Sequence, residues 1–117
     1  MSKLGFYLKS APFSSTRGET IYHLALAALE KGIQVSIFLD LDGVLHTVST
    51  QKSTESLEMP KDRFITLIER GASVYICSTC LSAFGLIDPD LLVEGVKPGN
   101  MENLATMLSD VDRLISL

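Results

Sequence analysis

Two short stretches carry the side chains that could do chemistry. "YICSTCLSAFGL" places Cys77 and Cys80 at C-x-x-C spacing, where an apolar strand-like run gives way to a helix start. Thiolate is the reactive form of cysteine. Its ordinary pKa of about 8.5 falls where unpaired backbone N–H groups at a helix start favour negative charge. Cys77 ends the strand and Cys80 enters the first turn, so both thiols are expected to feel that field. Four uses fit such a pair: metal binding, dithiol exchange, a persulfide carrier with one nucleophilic sulfur, and two small residues buried for packing. Zinc needs about four ligands. Beyond the cysteines the chain offers only His23 and His46, neither at ligand spacing, so no metal site is expected.

The second stretch, "VSIFLDLDGVLHTVST", ends a buried-looking strand in Asp40-Leu-Asp42-Gly43. A pair of aspartates in that pattern could serve a phosphatase of the haloacid-dehalogenase type, the first as nucleophile and the second as general acid. Such a site also needs a Ser or Thr, a Lys and late magnesium-binding acids. Here a complete strand–helix unit precedes the motif, and too little chain follows it for the rest. The plainer reading is a tight turn at Asp42-Gly43, with Asp40 ending the strand in water.

The elements that must position these residues alternate along the chain. "KLGFYLK" reads as a first strand. Thr16-x-x-Glu19 has capping-box spacing ahead of a helix bearing Ile21, Leu24, Ala25, Ala28 and Leu29 on one face, closed by Gly32. "IQVSIFL" is a second strand, and "HTVSTQKSTESLEMP" a long polar connection. Lys61 to Arg70 is a helix with Phe64, Leu67 and Ile68 inward. "SVYIC" is a third strand, "STCLSAFG" a short helix and "LLVEGV" a fourth strand. Asn100 caps a last helix, and "DRLISL" closes the chain as a fifth strand. This order predicts α/β architecture: a single domain, residues 1–117, with a five-stranded parallel sheet and helices on both faces. Open parallel sheets place ligands at the carboxyl ends of their strands. The loop "SAPFSST", the "DLDG" stretch and "CSTC" all fall there.

Composition narrows the function classes. The 117 residues include 10 basic and 14 acidic side chains, a net charge of −4, which argues against a phosphate-binding surface and direct nucleic-acid contact. No apolar run approaches the about 20 residues of a membrane span, and "LGFYL" is shorter than a signal-peptide core. A cytoplasmic location is expected, with both cysteines reduced. The hydrophobic fraction of 46% is high for so small a protein and points to burial between subunits.

Beyond these readings, the chain resembles the DsrE/DsrF/TusD-like family of small sulfur-relay proteins nearly end to end. The resemblance rests on Pro12-Phe13-Ser14-Ser15 before an Ala/Leu-rich helix, "EKGIQVSIFLDLDGV", "LIERGASVYICSTCLSAFGL", "LVEGVKPGNMENLA" and "DRLISL". It implies a five-stranded parallel sheet, assembly into homotrimers or hexamers, and partners that donate and accept sulfur. Cys77 matches the cysteine that carries persulfide in relay members, and no cofactor is implied. On this reading Cys77 is the sulfur carrier and Cys80 a resolving thiol. Ser78 and Thr79 are expected to stabilise the thiolate, and Pro12, Ser14, Ser15, Asp42 and Gly43 to form the pocket rim. A non-catalytic oligomeric module that binds a small molecule or partner in the same pocket is the alternative from a different class.

Overall fold

The computed structural model describes residues 2–117. Five strands form one sheet: β1 (Lys3–Leu8), β2 (Gln34–Leu39), β3 (Ser73–Cys77), β4 (Lys97–Gly99) and β5 (Arg113–Ser116). Their order is β4-β3-β2-β1-β5 and every pairing is parallel. Four α-helices connect them: α1 (Arg17–Glu30), α2 (Pro60–Glu69), α3 (Ser78–Ala83) and α4 (Met101–Asp110). The strands are parallel because each return passes through a helix or long connection.

Strand alternation divides the core into two layers. Phe6, Leu8, Val35, Ile37, Leu39, Val74 and Ile76 are buried and occupy one face, the side on which α1 and α2 pack against each other. The opposite face carries Tyr7, Phe38 and Tyr75 in one register row and is covered by α4. Tyr7 and Phe38 stack with ring centroids 6.2 Å apart. Gly99 brings β4 close under Phe38 and Asn103. Asn100 caps α4 as expected: its Oδ1 accepts from the Asn103 N–H at 3.0 Å, and the Asn103 side chain accepts from the Asn100 N–H at 2.9 Å.

Three local expectations change. Thr16 stands before α1 but its side chain caps nothing. Instead the Arg17 N–H reaches the Ser15 hydroxyl at 3.3 Å. "LLVEGV" is not a strand. Leu92 makes one isolated antiparallel bridge to Val48, and the edge strand is Lys97-Pro98-Gly99. Proline is tolerated there because an edge strand pairs on one side only.

The third change concerns the start of the long connection. Asp42-Gly43 lies within a 3-10 helix, Leu41–Thr47, rather than in a tight turn. His46 and Thr47, assigned from sequence to a polar loop, are buried at its end. The His46 Nε2 meets the Ser10 carbonyl at 2.9 Å, and its ring packs on Phe64. Gly18 on α1 is the neighbour that makes room, since a Cβ there would lie 2.3 Å from the imidazole.

Candidate functional site

The site follows from strand register. Tyr7 pairs with Phe38, and Phe38 with Tyr75. Asp40 lies two residues beyond Phe38 and Cys77 two residues beyond Tyr75. Period-two alternation therefore returns both to the α4 face, one step further toward the carboxyl edge. Cys80 joins them because α3 begins at once after β3, so its first turn swings the second thiol back over the first.

One oxygen of Asp40 and the sulfurs of Cys77 and Cys80 all lie within 4.8 Å of one another. Asp40 and Cys77 are buried and Cys80 is half-buried. The Cys80 N–H donates to Cys77 Sγ at 3.3 Å, so Cys77 caps α3 with its own sulfur. The Cys80 thiol donates to Asp40 Oδ1 at 3.3 Å, while the Leu41 N–H is shared between Asp40 Oδ1 at 2.9 Å and Cys80 Sγ at 3.2 Å. On the far oxygen, Oδ2, Asp40 accepts from the Tyr7 hydroxyl at 2.5 Å.

These contacts overturn the placement of Asp40 in water: it is 6% exposed and central. They also set the charges. Burial pushes the Asp40 carboxyl upward, but hydrogen bonds from Tyr7, Cys80 and the Leu41 N–H outweigh it and hold the group below its ordinary value. Burial, then the bonds to Cys77 and Asp40, push the Cys80 thiol up to about 12. Cys80 therefore behaves opposite to the expectation from its helix-start position, because burial first, and then its bonds to Cys77 and Asp40, favour the neutral thiol. Tyr7 is likewise raised to about 12, by burial first and then by Asp40.

The backbone around the site is shaped to the same end. Leu41 has φ 52°, a left-handed conformation that a leucine rarely takes. Gly43 sits where a Cβ would come 2.4 Å from the Leu8 carbonyl oxygen, so the 3-10 turn can press onto the end of β1 only without a side chain. The Gly43 N–H closes that turn on the Asp40 carbonyl at 2.8 Å.

Of the residues singled out from sequence, Cys77 and Cys80 come together. Gly43 supports the turn that carries Asp40. Asp42 is exposed and stands outside the thiol–carboxylate cluster, so the two aspartates do not form one site. The Ser78 hydroxyl donates to the Gly99 carbonyl at 3.0 Å and ties α3 to β4, while Thr79 is exposed. Pro12, Ser14 and Ser15 line a different surface cleft with Leu57, Glu58, Pro60 and Arg63, and neither cysteine lines that cleft. Sequence reasoning missed Asp40 as the thiols' partner and Tyr7 altogether. Counting in twos from a common register row would have found both.

A five-stranded parallel α/β sheet with a thiol pair and a buried carboxylate at its carboxyl edge defines the class of protein. The chain belongs to the DsrE/DsrF-like family, whose model matches residues 2–117. It is 33% identical to an uncharacterized protein of Methanocaldococcus jannaschii over 117 residues, covering 97% of this chain and 98% of that one. It is 25% identical to a protein named TusC homolog from Aliivibrio fischeri, covering 98% of each chain. Among solved structures, the ychN protein from E. coli superposes with a TM-score of 0.89 at 25% identity, with each chain covered completely. No helix among the described residues is long and apolar enough to cross a membrane.

Proposed function

We propose that this protein is a sulfur carrier that accepts sulfane sulfur on Cys77 and passes it on by thiol exchange. The observation that carries the reading is the pairing of a buried Cys77 sulfur with a second, differently held thiol on one rim. Family membership and the likeness to a TusC homolog support a place in sulfur relay. The Cys77 thiolate attacks the terminal sulfur of a donor persulfide. The donor's S–S bond breaks, Cys77 becomes Cys77-S-SH and the donor leaves as thiolate. An acceptor thiolate then takes the same sulfur by the reverse exchange.

Cys80 supplies a second outcome. As a thiol it is a poor nucleophile, so a persulfide on Cys77 survives long enough to meet an acceptor. When Cys80 does attack the Cys77 sulfur, a Cys77–Cys80 disulfide forms and hydrosulfide leaves. The two cysteines are then oxidised, the sulfane sulfur is reduced, and an external dithiol resets the pair. A reducing compartment such as the cytoplasm suits this chemistry.

The donor and acceptor in this reading are proteins, and the chain acts as a homo-oligomer. Phe13, Phe84, Ile87 and Met101 are large apolar side chains left exposed on the single chain, and they support that assembly. Light scattering on the purified protein checks it: a monomer across the working concentration range would sink the oligomer.

Intact-mass analysis after polysulfide treatment tests the carrier. The native protein gains sulfur atoms. Cys77→Ser gains none, and Cys80→Ser holds its sulfur longer than the native chain. Equal sulfur uptake by Cys77→Ser would overturn the role assigned to Cys77.

A further inference from the structure

We infer that the thiol–carboxylate cluster is a three-donor site for a thiophilic divalent ion, zinc(II) in particular, held by Cys77 Sγ, Cys80 Sγ and Asp40 Oδ1. The ion requires only these donors, so the inference stands apart from sulfur transfer. The sequence alone does not show which residue joins the cysteine pair, and the register of β2 and β3 brings Asp40 to it.

The donor spacing fits such an ion. In a tetrahedral zinc centre with Zn–S of about 2.3 Å and Zn–O of about 2.1 Å, ligand atoms stand about 3.6–3.8 Å apart. Here both sulfurs and one Asp40 oxygen lie within 4.8 Å of one another, and Cys80 Sγ stands 3.3 Å from Asp40 Oδ1. Small side-chain rotations bring them to ligand spacing, with no movement of a strand.

The donors are also supported from behind. Metal ligands are oriented by partners on their outer side. Cys77 Sγ accepts from the Cys80 N–H, and Cys80 Sγ from the Leu41 N–H. Asp40 is held through Oδ2 by the Tyr7 hydroxyl, which leaves Oδ1 turned to the sulfurs. All three ligands are thus oriented by groups that are not themselves ligands.

Two sulfurs and one carboxylate oxygen form a mixed set that suits zinc better than magnesium or calcium, which take oxygen ligands. Three protein donors leave a fourth position for water or a small thiol, on the side where Cys80 is partly open. Binding is balanced by protons: each cysteine that enters as a thiol releases its proton to solvent as its sulfur takes the metal. A bound ion ties up both sulfurs, so metal and sulfane sulfur compete for the same atoms.

Cobalt(II) titration of the full-length, reduced and chelator-stripped protein is the test. The expected result is sulfur-to-cobalt charge-transfer absorption saturating at one ion per chain and abolished by stoichiometric zinc. Cys77→Ser and Cys80→Ser each lose about half of that absorption, as one of two thiolates is removed. Asp40→Asn weakens binding, and Tyr7→Phe, which touches no donor atom, weakens it roughly 10–100-fold. Circular dichroism verifies that each variant is folded. Absence of thiolate–cobalt absorption in the folded native protein overturns the site, as does unchanged affinity in folded Asp40→Asn. The titration involves no sulfur donor, so its failure is distinguishable from failure of persulfide formation.

Discussion

The Tyr7 hydroxyl donates a 2.5 Å hydrogen bond to Asp40, joining β1 to the end of β2 directly behind the cysteine pair. The acceptor is a buried carboxylate, so the bond belongs to the charge-assisted kind, worth about 1.5–3 kcal/mol. Tyr7→Phe keeps the ring that stacks on Phe38 and removes only the hydroxyl. It should lower unfolding free energy by about 2 kcal/mol. Urea denaturation of the two proteins checks this, and equal midpoints would show that Asp40 does not depend on Tyr7.

Cys80 is partly exposed, yet in metal-free protein it should alkylate slowly for an accessible thiol. Burial and its bonds to Cys77 and Asp40 push it up to about 12, so near neutral pH almost none is thiolate. Asp40→Asn removes a carboxylate that favours the protonated form and should accelerate Cys80 alkylation. Peptide mapping after timed iodoacetamide treatment reads the rates at both cysteines. Equal Cys80 labelling in the native protein and in folded Asp40→Asn would contradict the electrostatics of the site.

His46 makes the fold sensitive to acid. Burial pushes it down to about 4, against a favourable bond to the Ser10 carbonyl and with Arg63 adding to the depression. Its neutral form is therefore favoured in the folded chain. That stability is fully present above the unfolded value of 6.5 and is lost as pH falls from there through about 4. The full loss amounts to roughly 3 kcal/mol. His46→Gln should lose less stability than the native chain between pH 7 and pH 4, as measured by denaturant melts at each pH.

Leu41 offers a test of backbone strain. A non-glycine residue in the left-handed region costs about 1–2 kcal/mol, less for asparagine. Leu41 holds φ 52° with its side chain 54% exposed, so little packing is lost on replacement. Leu41→Asn should raise stability by about 1 kcal/mol while keeping the N–H that reaches Asp40 and Cys80. A destabilised variant would mean that the leucine side chain holds the turn through packing.

Much of this architecture was legible in the sequence. Alternating or continuous apolar runs marked β1, β2, β3 and β5, and helical spacing marked α1, α2 and α4. The fourth strand was not legible. Lys97-Pro98-Gly99 has low strand propensity, while the apolar Leu91-Leu92-Val93 nearby reads more strongly as a strand. Pairing with β3 decides the matter, and pairing is a tertiary fact. The thiols were legible because C-x-x-C is a local pattern. Asp40 drew attention for the wrong partner. Its neighbour in sequence, Asp42, is exposed and outside the cluster, and the thiols it meets lie 37 and 40 residues downstream.

The common register row has a consequence for which changes of chain length the protein can absorb. Between Lys52 and Glu58 the chain bonds to itself across Thr54 and Leu57 and, through Ser53, to Asp62 at the start of α2, away from every donor atom. Residues added or removed there leave the rim where it is. One residue inserted between Phe38 and Asp40 is another matter: the carboxylate would cross to the layer beneath α1 and α2, among Leu8, Leu39 and Ile76. A carboxylate there has no hydrogen-bond partner among fully buried apolar side chains, so the insertion costs stability and also leaves the thiols without their acid. Length variation in the outer loop and length variation in the strands are thus different classes of mutation here, the first remote from the site and the second able to dismantle it.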